Sequence, residues 1–275
     1  MKQIALVVLF LSLSLSLCQA NEARQIIQEV LDRDDGATEV ARITLSTCSV
    51  IKKNKKIICK SSPRVKVMDM IRKDYGPRGK DHKTVTILLE PACEKGIGFL
   101  QYDYDKKGEE TDQWLYLSAL GKVKRIVSGN ENEPKTGSFF GSELSYEDME
   151  KRHIDEYTYT ILGKETYAKR MCTVIESVPV PDRAKKSNYS KSLSWVDEPR
   201  NIILKTILYN RQGKKAKRIY YGNIKPVDNI LVPHTIVIFN LETLRRTYFI
   251  YDNIALNIGV KDEFLSQRTL TWKAT

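Results

Sequence analysis

Tyr157-Thr158-Tyr159-Thr160-Ile161 sets three large side chains against two threonines with a period of two. That is the period of an extended strand with one face buried, and a helix cannot satisfy it. Working outward, the same alternation returns in Val85, Ile87 and Leu89 against Thr84 and Thr86. It returns again in Leu244, Tyr248 and Ile250 against Arg245, Thr247 and Phe249. Turn residues punctuate these runs, and Asp105-Lys106-Lys107-Gly108 and Asn210-Arg211-Gln212-Gly213 are predicted hairpin connections. Roughly eleven strands are expected, against about five or six in a typical sheet. A sheet of that size must curl, split or close. The predicted class is therefore mainly β with α+β character: a large curved antiparallel sheet, or incomplete β-barrel, around a lumen.

One clear helix precedes the strands. Ala23, Ile26, Ile27, Val30 and Leu31 follow the spacing of a single apolar stripe, and Gly36 is expected to end the helix, which would cap the sheet. Ahead of it, Lys2, an apolar and serine stretch from Ile4 to Leu17, and the small-residue exit at Cys18, Gln19 and Ala20 read as an export signal, with cleavage near Ala20. Residues 1–20 are thus assigned to a signal peptide and 21–275 to a single domain, since no repeat or proline- and glycine-rich linker divides the chain. Leu15-Ser16-Leu17-Cys18 also invites a lipid anchor on Cys18, but bulky Leu17 stands where a small residue is normal. No later apolar stretch approaches the roughly 20 residues of a spanning helix, so a soluble exported protein is expected.

The formal charge of +11 is clustered: Lys52, Lys53, Lys55 and Lys56; Lys122, Lys124 and Arg125; Lys214, Lys215, Lys217 and Arg218. For an exported chain, nucleic acid is excluded as a partner and an anionic membrane surface is the candidate for transient contact. The plainer reading makes these clusters solvated turns and strand edges guarded by lysine. Cys48 and Cys59 flank a lysine-rich turn; a hairpin centred between Lys53 and Asn54 would set them directly opposite, in reach of a disulfide. Cys93 and Cys172 either pair with each other or stay as buried thiols.

Catalytic and metal chemistry leave no convincing pattern. His82, His153 and His234 belong to no metal-binding helix motif, and there is no nucleophile elbow or glycine-rich phosphate loop. Asp103, Asp105 and Gly108 match the first, third and sixth positions of a calcium loop, but Lys107 and Trp114 occupy the fifth and twelfth. Neither a cofactor nor an enzyme activity is expected.

The irregular segment from Ser128 to Ser145 is long for a structureless connection, and it carries Gly137-Ser138-Phe139-Phe140-Gly141-Ser142. Together with Asp112-Gln113-Trp114-Leu115-Tyr116-Leu117-Ser118-Ala119-Leu120-Gly121-Lys122-Val123-Lys124-Arg125-Ile126 and the continuation Glu143-Leu144-Ser145-Tyr146-Glu147-Asp148, it resembles the outer-membrane lipoprotein-sorting protein family, the LolA-like proteins. The resemblance continues through Leu162-Gly163-Lys164-Glu165, Val174 to Pro179, the Tyr189 to Asp197 strand with Trp195, and Asn257-Ile258-Gly259-Val260 before Phe264. Ser118 stands where proline is common in the family, and Phe140 where methionine is common.

The resemblance implies an incomplete barrel closed by helices over an apolar cavity for acyl chains of lipids or lipoproteins. It also implies a periplasmic setting and a handover partner among the resistance-nodulation-division (RND) type exporters. Candidate cavity or gate residues are Ile26, Ile27, Val30 and Leu31 on the helix, Trp114 and Tyr116 on one strand face, and Phe139, Phe140 and Tyr146 on the long segment. Arg125 is expected to meet a lipid headgroup or to pair with Glu143 or Asp148. A monomeric carrier is the leading reading; a non-catalytic adaptor or an outer-membrane lipoprotein receptor of such an exporter is the other.

Overall fold

The structure, a computed structural model, describes residues 20–54, 56–76, 78–106, 108–129 and 132–272. Residues 1–19, with most of the expected signal peptide and Cys18, lie outside that range. The described chain is mainly β and antiparallel, with fourteen strands instead of the expected eleven. The surplus includes pieces such as Lys56–Cys59 and Lys122–Ile126, four and five residues long and too short to show an apolar alternation. Two compact units form, one from residues 20–33 with 154–216 and one from 34–153 with 217–272.

In the smaller unit, helix α1 covers residues 20–31. Its stripe falls as expected: Ala23, Ile26 and Ile27 are buried and Val30 partly so, packed on Tyr159, Ile175 and Val196. Each buried isoleucine contributes about 1.5–3 kcal/mol. Leu31 departs from the stripe, being 40% exposed at the last helical turn. Gly36 does not end the helix, which stops five residues earlier. Instead, at φ +83° and with its amide bonded to Asp34 Oδ1 at 3.0 Å, it turns the chain into the first strand.

Four strands, Tyr157–Tyr167, Arg170–Pro179, Tyr189–Asp197 and Ile202–Asn210, are successive antiparallel neighbours in this unit. The opening pentapeptide alternates as read: Tyr157, Tyr159 and Ile161 pack on the helix side while Thr158 and Thr160 are exposed. The Asn210–Gly213 turn also forms, with the Gly213 amide donating to the Asn210 carbonyl at 2.9 Å.

The larger unit holds the other ten strands: β1 (Thr38–Lys53), β2 (Lys56–Cys59), β3 (Arg64–Tyr75), β4 (Asp81–Glu90), β5 (Gly98–Asp103), β6 (Asp112–Leu117) and β7 (Lys122–Ile126) come first. Counting the four strands of the smaller unit as β8–β11, the chain returns with β12 (Lys215–Val227), β13 (Ile230–Asn240) and β14 (Arg245–Leu256). They pair in the order β7-β6-β5-β4-β3-β1-β14-β13-β12, with β2 on β1 alone. Leu244 is not a strand residue: at φ +51° it closes the β13–β14 turn. The buried side of β14 is the one carrying Thr247 and Phe249, not the one carrying Ile250, which is 40% exposed.

Cys48 and Cys59 are joined by a disulfide, with 5.7 Å between their Cα atoms. The hairpin is centred one residue later than the sequence suggested, because Lys53 pairs with Lys56 and Val50 with Cys59. The bridge therefore runs diagonally between same-face neighbours two residues out of register, which the pleat allows. Cys93 and Cys172 are both unpaired, the first exposed and the second buried.

Candidate functional site

The two faces of the larger sheet are built from alternate residues of the same strands. On one face, Leu100 pairs with Trp114 and Gly98 with Tyr116 across β5 and β6. These side chains join Val85 and Ile87 in a core closed by Leu265 and Leu270 of the C-terminal segment, which ends in helix α2 (Gln267–Trp272). Tyr102 meets Trp114 edge-on at 5.0 Å and donates its hydroxyl to the Leu265 carbonyl at 2.8 Å. Gly98 matters for closeness: a Cβ there would lie 2.7 Å from Leu270 Cδ2. Asp262, just before the helix, accepts from Lys73 Nζ at 2.7 Å and from the Tyr75 hydroxyl at 2.8 Å. Those two donors hold its carboxyl below the usual carboxylate range.

The opposite face is covered by the long segment. Phe99 is fully buried and contacts Phe139 edge-on at 5.2 Å and stacks on Tyr146 at 5.8 Å. Phe139 in turn lies 4.5 Å from Phe140 and 6.3 Å from Phe249. So Phe139, Phe140 and Tyr146 come together, whereas Trp114 and Tyr116 point to the other side of the sheet. Gly137, at φ +104°, is obligatory, since a Cβ would sit 2.7 Å from the Tyr146 ring. Phe140 itself is left-handed at φ +48°. Such a conformation costs a non-glycine residue roughly 1–2 kcal/mol, which the aromatic packing around the ring offsets.

Polar bonds clamp this segment. Glu143 accepts from Asn240 Nδ2 at 2.8 Å and pairs with Arg245 at 3.0 Å, while its amide donates to Thr247 Oγ1 at 3.0 Å. Gln113 donates to the Tyr146 carbonyl at 3.0 Å and to Gln101, which donates to the Met149 carbonyl at 2.7 Å. Asp148 pairs with Lys217. Arg125 pairs with Asp112, a diagonal neighbour across the β6–β7 pairing, while Glu143 pairs with Arg245 and Asp148 with Lys217. The cleft beside it, of about 540 Å³ and lined by Tyr104, Glu109, Thr111, Asp112 and Lys135 among others, is polar and open to solvent. Its charged groups pair with one another or with the adjacent chain, as in Lys135 with Glu150 at 3.0 Å, so it suits no hydrocarbon.

Further along the loop-covered face, burial becomes incomplete. Ile43, Met68 and Ile238 are buried, but their same-face neighbours Met70, Tyr221, Ile236 and Tyr251 keep part of their side-chain surface accessible. Burial nevertheless pushes the Tyr221 hydroxyl up to about 12 and raises that of Tyr251 as well. Met70, Tyr221, Ile236 and Tyr251 form a half-buried apolar and aromatic patch on this face. At its margin, burial outweighs the Arg72 guanidinium 3.5 Å away and raises the Glu39 carboxyl. None of these residues was singled out from the sequence; the signal was the odd-numbered parity of Ile219 and Tyr221 on β12 and of Phe249 and Tyr251 on β14.

Among the described residues no group of histidine, cysteine and carboxylate side chains could hold a metal ion, and no helix is long and apolar enough to cross a membrane. His82 bonds Asp74 at 2.8 Å and His234 the Val232 carbonyl at 3.0 Å.

Residues 80–272 match a family model described as an uncharacterized protein family. Among solved structures, the chain is similar to a putative outer membrane lipoprotein-sorting protein domain from Vibrio parahaemolyticus, at 26% identity over 92% of this chain and 99% of that one, with a TM-score of 0.76. A DUF1329 family protein from Desulfovibrio piger superposes with a TM-score of 0.79 at 20% identity, again over 92% and 99% of the two chains. A LolA superfamily protein from Nitrosomonas europaea follows at 0.63 and 16%, over 90% and 98%. No curated protein matches the sequence.

Proposed function

Because the chain belongs to the family whose model spans residues 80–272 and is similar to an outer membrane lipoprotein-sorting protein domain, we propose that it is a LolA-like, exported, non-catalytic carrier of the acyl chains of lipids or lipoproteins. The observation that supports this most is the loop-covered face of the larger unit, where Met70, Tyr221, Ile236 and Tyr251 stay partly accessible beside the clamped aromatic segment. An apolar lining holds a hydrocarbon without polar contacts, at about 0.8 kcal/mol per buried methylene, and releases it to any similar site. Reversibility of that kind is what transfer requires. In this reading Phe139, Phe140 and Tyr146 gate one end of the hollow, while Ile26, Ile27 and Val30 are core of the smaller unit. Trp114 and Tyr116 are core under the C-terminal segment.

The carrier works as a monomer in the periplasm, receiving its cargo from a resistance-nodulation-division type exporter and delivering it toward the outer membrane. Native mass spectrometry of gently purified protein tests the proposal. A released lipid or acylated peptide of defined mass is expected. An empty chain recovered in a stable membrane complex would instead favour the adaptor or receptor role.

A further inference from the structure

The β1–β2 hairpin lies outside the hollow, and its surface chemistry is of another kind. Ile51, Ile57 and Ile58 are 43%, 47% and 39% exposed, all within one short two-stranded ribbon. Lone exposed apolar residues need no explanation, but three isoleucines on eight positions do. Lys52, Lys53 and Lys56 stand exposed among them, and Lys60 follows. Between Glu39 and Asp69 the chain carries eight basic residues and no acidic one. Leu244, 55% exposed at the β13–β14 turn, adjoins the ribbon through the bond from the Val50 amide to its carbonyl at 2.8 Å.

We propose that this hairpin is a membrane-contact finger that seats on an anionic lipid surface. The proposal rests on the exported-carrier reading only in requiring that the chain meet membranes. Register decides for a bilayer over an acidic protein. Ile51 pairs with Ile58 on one face of the ribbon, and Ile57 pairs with Lys52 on the other, so apolar and cationic groups occupy both faces. A folded partner covers one face of a ribbon and leaves the second wet. A bilayer interface surrounds both, taking the isoleucines into the acyl boundary while the lysines reach the headgroups. Guarding a strand edge explains lysines on β2, yet gives no reason for isoleucines beside them. The Cys48–Cys59 disulfide and the bond from Arg246 to the Ile57 carbonyl at 3.3 Å fix the base of the ribbon, so insertion would not unravel it.

Sedimentation of the full chain with phosphatidylglycerol-containing vesicles, against pure phosphatidylcholine vesicles, tests this. Preferential binding to the anionic vesicles is expected, falling about a hundredfold in the K52Q/K53Q/K56Q variant at roughly fivefold per lysine. The I51S/I57S/I58S variant should lose the part of the binding that survives high salt. An Ile57→Trp reporter should shift its emission to the blue on anionic vesicles. Binding of a fluorescent fatty acid should stay unchanged in both triple variants, which separates this contact from the cargo site. Equal partition of the native and K52Q/K53Q/K56Q chains, or no preference for anionic vesicles, overturns the proposal. So does loss of an acidic envelope protein from the variants while their vesicle binding persists.

Discussion

The larger sheet covers its two faces by different means. Under the C-terminal segment, Leu100, Tyr116, Leu265 and Leu270 close a filled apolar layer. Under the 137–151 segment, aromatic rings are backed by Glu143, Gln101, Gln113 and Asp148, and Met70, Tyr221, Ile236 and Tyr251 on the same face stay half-buried. A dry layer tolerates no vacancy, because every missing contact is lost outright. A cover clamped by hydrogen bonds at defined points can leave its neighbourhood unfilled, since its own position does not depend on what lies beyond it. The first face holds the sheet together, and the second is the one on which we propose that the cargo sits.

The largest effects should come from the filled face. Leu270→Ala is expected to cost about 3 kcal/mol in denaturant unfolding, by the usual penalty of a buried leucine truncation, while leaving fatty-acid binding as it was. Loss of binding in proportion to stability would erase the distinction between the faces. Removing the clamp should cost less. Glu143→Ala leaves Arg245 and Asn240 without their carboxylate, a loss of about 2 kcal/mol, and hydrogen exchange should rise over 138–146 but not over 262–272.

A smaller and more selective change is expected of Phe140→Ala: fluorescent fatty-acid affinity falls about tenfold, or about 1.4 kcal/mol, whereas Trp114→Phe leaves it unaltered. The reverse pattern would move the site to the other face.

Acidification should discriminate least in size but clearly in place. Asp262 has its carboxyl lowered by Lys73 and Tyr75, so its contribution is complete above the ordinary carboxylate value and disappears as the pH drops through the lowered one. Amide exchange around Val260 to Leu270 should therefore quicken in acid, and an Asp262→Asn variant should show the faster exchange at neutral pH already.

Much of the fold was legible because period-two and period-3.6 patterns report directly on one-sided burial. Tyr157 to Ile161 and Ala23 to Val30 behaved as their spacing required. Where both faces of a strand are buried, the pattern loses its meaning: Val85, Thr86, Ile87 and Leu88 are all buried, and nothing in their order tells which side holds a hollow. On β14 the alternation misled for another reason: apolar residues fall on both parities, so Leu244 and Ile250 looked like an inward stripe while Phe249 was the residue that turned in. Trp114 and Tyr116 shared a strand with Gln113, so they shared a motif with the site without sharing its side of the sheet. Tyr221 and Tyr251 lie 30 residues apart in sequence and meet only through β12-β13-β14 pairing, which composition and spacing do not encode.

The most direct test is photo-crosslinking with a diazirine-bearing fatty acid, followed by peptide mapping of the adducts. A hollow on the loop-covered face predicts labels on Met70, Phe140, Tyr221, Ile236 or Tyr251. Labels confined to Trp114, Tyr116, Leu265 and Leu270, or none above the background of a denatured control, would contradict it.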